Sequence, residues 1–241
     1  MTDTLIIIPA HNEEKNILKV LEDIKTQSLN MDVLIVDDGS KDKTRDLVMS
    51  EEVKIISHPY NLGYGAALQT GFKYAKKQNY KYVILFDGDG QHNAKYIKDF
   101  YEEISKNHWD IVSGSRFLVQ DESEVELLKK IVIRALRKII FISTGVKITD
   151  PTCGFKALSQ RAYEFYSKMG NYPADYPDSD IIIQMLKLGY KIKEIPISIN
   201  KRIHGTSMHS GLKPIIYLFK MFLSINVVLL RHKLQRREEL E

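Results

Sequence analysis

Short apolar runs alternate with helical patterns through the first half of the chain. Five runs have the length and side chains of buried strands, at residues 5–8, 33–36, 53–56, 82–86 and 110–113. Between them, apolar residues recur at helical spacing, as in the stretch after Gly65. This alternation predicts an α/β fold whose central, mostly parallel sheet is flanked by helices.

Polar residues follow the strands. After the first strand, Asn12 is placed to cap a helix, with Glu13 in its favourable first turn. Asp37 and Asp38 follow the second strand, and the segment Asp87–Gln91 follows the fourth. Because ligands of such sheets bind outside the carboxyl ends of the strands, we expect a ligand site at this edge.

The second half is less regular, and its clearest pattern is a basic helix at residues 127–142. One stripe of this helix is predicted to be apolar: Leu128, Val132, Ala135, Ile139 and Ile142. Another is cationic: Lys130, Arg134 and Arg137. Residues 191–199 alternate like a strand, and residues 205–211 have the composition of a loop.

Residues 214–230 form an apolar stretch with basic flanks, interrupted by Lys220, Ser224 and Asn226. The interruptions argue against a membrane span. Such helices lie in the membrane interface, with cations toward anionic head groups, so we expect both basic helices to be amphipathic and to bind an anionic membrane surface. The alternatives are ordinary packed helices or a protein interface, for example with a small integral membrane subunit.

The 241 residues, 44% of them hydrophobic, fit one large domain, here residues 1–211, with an extension at 212–241. The lone Cys153 excludes an intramolecular disulfide, and its expected place is buried beside a turn. No basic segment precedes the first apolar run, so we expect a cytoplasmic protein, peripheral on the inner face of the plasma membrane.

The sharpest chemical signal is Asp87-Gly88-Asp89-Gly90-Gln91 after a buried strand. Two carboxylates one residue apart suit Mg²⁺ or Mn²⁺, which takes its other ligands from substrate phosphates. The alternative is a turn with solvated aspartates, because Asp and Gly are common in turns.

Four ordered motifs resemble those of family 2 glycosyltransferases. They are Pro9-Ala10-His11-Asn12-Glu13, Asp37-Asp38-Gly39-Ser40, the run from Asn61 to Ala67, and the aspartate motif above. The resemblance covers about the first 120 residues. It implies the GT-A fold, a nucleoside diphosphate sugar donor, a divalent metal and inversion at the anomeric carbon. Residues 1–120 would form the nucleotide-sugar-binding half, and residues 121–211 the acceptor half.

The resemblance also implies roles for individual residues. The nucleotide-sugar contacts would be Pro9, Ala10, Asn12, Glu13, Asp38, Gly39, Gly63, Gly65, Asp87, Gly88 and Asp89. The metal ligands would be Asp87, Asp89 and Gln91. The catalytic residues would be Asp89, Asp180 and Arg202, with Arg202 in a loop over the donor phosphates.

The acceptor is the least constrained part. The segment Ser113–Phe117 resembles the G-S-R segment of polyprenyl-phosphate sugar transferases, which makes Arg116 an acceptor contact. The usual arginine–serine pattern is replaced here by Lys130 and Arg134, one helical turn apart, which we expect to hold a phosphate. We therefore favour polyprenyl (undecaprenyl) phosphate as the acceptor, in cell-envelope glycan synthesis. A sugar hydroxyl of a lipid-linked glycan is the alternative and would need a base, for which Asp180 is the candidate.

Other classes fit less well. Haloacid dehalogenase-type phosphatases share D-x-D-G but carry it near the start of the chain and would leave Asp37 and Asp38 unexplained. Dinucleotide-binding oxidoreductases need a third glycine, where this chain has Leu68. Nucleic acid is a poor partner, since the cations lie beside apolar runs. A non-catalytic, membrane-tethered subunit and a homo-oligomer stay open. The sequence leaves the sugar and the choice between uridine and guanosine undecided.

Overall fold

The computed structural model describes residues 2–119, 127–174, 177–200 and 213–238. The strands are β1 (Thr4–Ala10), β2 (Asp32–Asp37), β3 (Lys54–Ser57), β4 (Tyr82–Leu85), β5 (Ile111–Ser115), β6 (Lys156–Ser159) and β7 (Ile192–Pro196). The helices are α1 (Ile17–Lys25), α2 (Thr44–Met49), α3 (Tyr64–Lys77), α4 (Ile97–Ile104), α5 (Leu127–Thr144), α6 (Gln160–Ser167), α7 (Ser179–Lys187) and α8 (Lys213–Glu238).

One seven-stranded sheet has the order β3-β2-β1-β4-β6-β5-β7. Strand β6 is antiparallel to both of its neighbours, and the other pairings are parallel. The prediction of a mostly parallel sheet flanked by helices is confirmed. Strand β6 was not predicted from the sequence, because its four residues include only two apolar ones, Ala157 and Leu158.

The apolar runs became strands because each face of the sheet has its own helical cover. One face packs against α1 and α4 around residues such as Ile8 and Phe155. The other packs against α3 and α6 around Ile7 and Phe72. Strand β1 is buried along its whole length. It pairs with β4 only as far as Ile7, but the strand continues through Pro9 to Ala10. The predicted end of this strand at Ile8 was therefore wrong by two residues.

A third apolar cluster joins α5, α7 and α8. Its buried members include Leu136 and Ile140 from α5, Ile183 from α7, and Met221 and Ile225 from α8. The predicted apolar stripe of α5 is partly wrong, since Val132 is buried while Ala135 and Ile142 are exposed. The reason is that α5 turns toward α7 the row Val132, Leu136 and Ile140, spaced four residues apart.

The outer face of α8 carries exposed Phe222, Leu223, Val227 and Leu230 beside exposed Lys220 and Arg231. The helix is thus apolar on two sides, one against α7 and one outward. None of the helices in the described ranges is long and apolar enough to cross a membrane.

Candidate active site

Loops that follow β1 and β2 are bonded to each other at the carboxyl edge of the sheet. The Asn12 amide donates to Ser40 Oγ at 2.9 Å, and the Lys41 amide donates to Asn12 Oδ1 at 2.8 Å. The Glu13 amide donates to Thr44 Oγ1 at 2.7 Å. The prediction that Asn12 caps a helix is wrong: Asn12 has a φ of 58°, and α1 begins only at Ile17. Its side chain holds the second loop in place, because backbone donors there have no strand partner.

Asp38 lies at the centre of these loops and is buried. Its amide donates to Ala10 O at 2.8 Å, and its carbonyl oxygen lies 2.9 Å from His11 Nδ1. Its carboxylate accepts hydrogen bonds from the amides of Leu62 and Gly63, both at 2.9 Å. Asp38 therefore joins the ends of β1 and β2 to the start of α3.

Gly63 and Gly65, in the run from Asn61 to Ala67, are glycines for different structural reasons. Gly63 has a φ of 103°, a conformation that favours glycine. Gly65 has no room for a side chain, since a Cβ there would lie 2.0 Å from Pro173 O, and its amide donates to Ala174 O at 2.8 Å. The close neighbour of Gly65 is thus protein backbone, and the nucleotide contacts expected of Gly63 and Gly65 stay predictions.

Asp87 is held from both sides. Tyr64 donates its hydroxyl to Asp87 Oδ1 at 2.8 Å, and His92 Nε2 lies 2.9 Å from Asp87 Oδ2. Burial opposes ionisation, but these two partners outweigh it and lower the pKa of Asp87. Gly154 packs against the same carboxylate, because a Cβ at this position would lie 2.7 Å from Asp87 Oδ2.

Asp89 and Gln91 form a tight turn, in which the Gln91 amide donates to Asp89 Oδ1 at 3.0 Å. Together with Asp87 they offer carboxylate and amide oxygens, the hard donors that Mg²⁺ and Mn²⁺ prefer. Nowhere in the described ranges do three or more His, Cys, Asp or Glu side chains gather as a metal cage. This donor set fits a cation that takes its remaining ligands from water and substrate phosphates.

Arg116 is fixed by a buried carboxylate. Its Nε donates to Asp150 Oδ2 at 2.6 Å, and one terminal nitrogen donates to Asp150 Oδ1 at 2.7 Å and to Thr152 Oγ1 at 2.7 Å. Burial raises the pKa of Asp150, but the guanidinium outweighs it, and the net shift is downward. Glu194 accepts from the amides of Thr149 and Asp150, both at 2.7 Å, and so holds this turn from β7.

A second arginine lies beside Arg116. The guanidinium carbon of Arg137 lies 4.5 Å from the ring centroid of Phe117, and that of Arg116 lies 5.6 Å from the same centroid. The Arg137 Nε donates to Thr149 O at 2.6 Å. Arg134 is exposed one turn earlier on α5. The two arginines and Arg134 form a cationic surface next to the turn that carries Asp150.

Asp180 lies under α8, where only 2% of its surface is exposed. Its carboxylate accepts hydrogen bonds from Ser224 Oγ and, at 2.8 Å, from the Ile181 amide. Burial raises its pKa despite these bonds. The catalytic role of Asp180 stays a prediction, and this environment favours a structural role.

The family model of glycosyl transferase family 2 matches residues 5–166, which include all four motifs of the first half of the chain. The chain belongs to this family.

Named relatives of this family act on lipid phosphates, as their names state. The chain is 32% identical over 217 residues to a UDP-N-acetylglucosamine–dolichyl-phosphate N-acetylglucosaminyltransferase of Methanococcus voltae, covering 82% of this chain and 86% of the relative. It is 30% identical over 225 residues to a dolichyl-phosphate β-glucosyltransferase of Trichomonas vaginalis, covering 84% and 67%. The predicted resemblance to polyprenyl-phosphate sugar transferases is confirmed.

The fold also matches a solved member of this enzyme class. Glucosyl-3-phosphoglycerate synthase from Mycobacterium tuberculosis, in complex with Mn²⁺, UDP-glucose and glycerol 3-phosphate, superimposes with a TM-score of 0.67 at 17% identity. The match covers 96% of this chain and 80% of the synthase. The expected GT-A fold is confirmed, and the chain is a family 2, nucleotide-sugar-dependent glycosyltransferase.

The predicted roles of Arg202 and Lys130 stay predictions. Arg202 and the loop at 205–211 lie outside the described residues. Asn200, two positions before Arg202, donates its amide to Gln91 O at 2.8 Å. Lys130 lies on α5 at intermediate exposure, and its acceptor role stays a prediction.

Four side chains that lie beside predicted site residues were not among the predicted ones: His58, Tyr64, His92 and Arg137. Tyr64 and His92 stand inside or beside quoted motifs, so their position was a usable signal. Arg137 was placed on the cationic stripe of α5 but not at the acceptor site. His58 follows β3 and carries no signal of its own, because its partner Asp38 is 20 residues away.

Proposed function

We propose that the chain is an inverting, metal-dependent transferase that moves a sugar from a nucleoside diphosphate sugar to a polyprenyl phosphate at a membrane surface. The observation that carries this proposal is the turn from Asp150 to Gly154. Its first residue binds Arg116, and its last packs against Asp87. A cationic surface therefore lies one short turn from the aspartate motif, as a reaction between a lipid phosphate and a donor sugar requires.

On the donor side, Asp89, Gln91 and Asp87 would hold Mg²⁺ or Mn²⁺. When bound, such an ion stabilises the negative charge on the leaving diphosphate. Tyr64 and His92 fix the Asp87 carboxylate in one orientation. Arg202, which lies outside the described residues, would add a positive charge near the phosphates.

On the acceptor side, Arg116, Arg134 and Arg137 would orient the lipid phosphate. Arginine suits this task because its planar guanidinium binds phosphate through two hydrogen bonds. The phosphate oxygen is already anionic, so it attacks the anomeric carbon without a general base. The named relatives, which act on dolichyl phosphate, support this acceptor class.

Membrane attachment would come from the outer faces of α8 and α5. On α8, exposed Phe222 and Leu223 stand beside exposed Lys220, and on α5 exposed Ile131 stands beside exposed Arg134. Apolar side chains between cations are typical of helices at anionic membrane surfaces. Such attachment would bring the lipid phosphate to the cationic surface. The protein would then act on the cytoplasmic side of the membrane, in cell-envelope glycan synthesis.

A transfer assay tests the proposal. The full chain is incubated with labelled nucleotide sugars, Mn²⁺ and undecaprenyl phosphate in vesicles, with and without excess chelator. We expect labelled sugar in the lipid fraction with at least one donor, and its loss in chelator. Donor hydrolysis without transfer would argue against the acceptor, and no turnover of any donor would favour a non-catalytic subunit.

One observation favours a second candidate, a transferase to a sugar hydroxyl. Ala174 O, four residues before Asp178, accepts from the Gly65 amide, so Asp178 at the start of α7 would be a base near the start of α3 for a hydroxyl acceptor. Transfer to a lipid-linked glycan in the same assay, with none to the lipid phosphate, would establish this alternative.

A further inference from the structure

Most of the hydrogen-bonding capacity of the Asp38 carboxylate is used within the protein. Oδ1 accepts from His58 Nδ1 at 2.7 Å and from the Leu62 amide at 2.9 Å, and Oδ2 accepts from the Gly63 amide at 2.9 Å. An ionised carboxylate is an acceptor only, so His58 Nδ1 carries the proton in this pair. Of about four acceptor positions on a carboxylate, one remains, and it lies on Oδ2.

The three donors to the Asp38 carboxylate are held in fixed positions. Leu62 and Gly63 lead into α3, which has no side-chain cap and no acidic residue in its first turn. The Asp38 carboxylate supplies the negative charge that this helix start lacks. On the opposite side, His58 Nε2 lies 2.8 Å from Thr70 Oγ1, on the next turn of the same helix. The carboxylate is thus fixed at both oxygens.

We propose that the Asp38–His58 pair makes the donor site select uridine over guanosine, an inference that rests on the proposed donor function. Uracil presents a single N–H, at N3, between two carbonyl groups. Guanine presents two adjacent donors, N1–H and the N2 amino group, which match a carboxylate only when both of its oxygens are available. Asp38 offers one oxygen, which suits uracil and leaves one guanine donor without an acceptor.

His58 is therefore a specificity residue that acts through Asp38. Without its proton at Oδ1, the carboxylate would regain an acceptor on its second oxygen. A guanine base could then be bound through two hydrogen bonds. The ratio of the two nucleotide affinities, rather than either affinity alone, reports this role, because a merely structural loss lowers both together.

Calorimetry with the full chain, Mn²⁺ and either UDP or GDP tests the inference. We expect UDP to bind at least about 10-fold more tightly than GDP, the value of roughly one hydrogen bond to a charged group. His58→Leu should reduce this ratio several-fold. His58→Asn keeps a donor near the position of Nδ1 and should preserve the ratio. Thr70→Val changes only the far side of His58 and serves as the matched control.

The outcomes separate the two proposals. If the wild type binds neither nucleotide, both the donor function and the inference fail. If GDP binds as tightly as UDP or more tightly, the inference fails while the donor function stands. If UDP is preferred and His58→Leu keeps the full ratio, the role of His58 is rejected. Melting temperatures of all variants show that each comparison is made on folded protein.

Discussion

The donor side and the acceptor side of this site are held together by different forces. On the donor side, neighbouring loops exchange hydrogen bonds between side chains and backbone amides, as Asn12 and Asp38 do. On the acceptor side, Arg116 and the fully buried Asp150 carboxylate form an ion pair between segments 34 residues apart. The first arrangement shapes loops, and the second places charge inside the protein.

Mutations on the two sides should therefore have different effects. Loss of a half-exposed donor-side carboxylate removes a ligand contact and leaves the sheet intact. Loss of Arg116 leaves the Asp150 carboxylate buried and uncompensated, which is far more costly for folding. We therefore expect donor-side variants to change activity, and variants of the buried pair to change stability.

The largest expected effect on turnover is that of Asp89→Ala. Loss of this carboxylate should lower transfer by about 10²- to 10³-fold, because it would anchor the cation that stabilises the leaving diphosphate. Metal-dependent nucleotide binding should fall with it, while the melting temperature stays near that of the wild type. Asp99→Ala, on the exposed face of α4, is the matched control. Normal activity of Asp89→Ala would disprove the metal assignment.

Arg116→Ala should cause the largest loss of stability, about 3–5 kcal/mol in the free energy of unfolding. Arg161→Ala, which breaks an exposed pair with Asp110, should cost at most about 1 kcal/mol. Because the pKa of Asp150 is lowered, the pair stabilises the fold above the unfolded value of 3.8, and this stability is lost as the pH falls through the lower folded value. Denaturant titrations at neutral and acidic pH measure both effects. Equal losses in the two variants would refute the contrast.

A smaller effect is expected for Arg134→Ala, at an exposed position of the cationic surface. Apparent affinity for the lipid phosphate should fall by about 10-fold, as expected for one lost charged hydrogen bond, while UDP affinity stays unchanged. Steady-state kinetics with each substrate varied in turn measures the split. Lys138→Ala, exposed one turn later on the same helix, is the control. If only the affinity for the donor changed, Arg134 would belong to the donor side, and its predicted role in acceptor binding would be wrong.

The smallest effect is expected for Asp180→Asn, with turnover within about threefold of the wild type if the acceptor is a phosphate. Burial raises the pKa of Asp180, so its folded-state cost appears as the pH rises above the unfolded value of 3.8. The amide variant avoids this cost and should be at least as stable at neutral pH. Thermal unfolding and turnover are measured on the same sample. A collapse of turnover would restore Asp180 as the base and favour a hydroxyl acceptor.

The donor side could be predicted largely from the sequence, because its residues stand in short motifs after apolar strands. The roles within those motifs could not be predicted, since the Asn12 side chain binds the amide of Lys41, which is 29 residues away. On the acceptor side, the buried row of α5 and the burial of Asp180 both depend on α7 and α8. These partners decide which apolar row of α5 is buried, so the predicted stripe was partly wrong and Arg137 was not included in the acceptor site.

The acceptor class is tested by a comparison of two acceptors that differ only in the reacting group. The full chain, Mn²⁺ and a labelled UDP-sugar are incubated with a short-chain polyprenyl phosphate or with the corresponding polyprenyl alcohol. If the cations orient an anionic nucleophile, we expect a labelled polyprenyl-phosphate sugar from the polyprenyl phosphate and no product from the alcohol. Product from the alcohol, or from neither acceptor while an added glycan is elongated, would contradict the account.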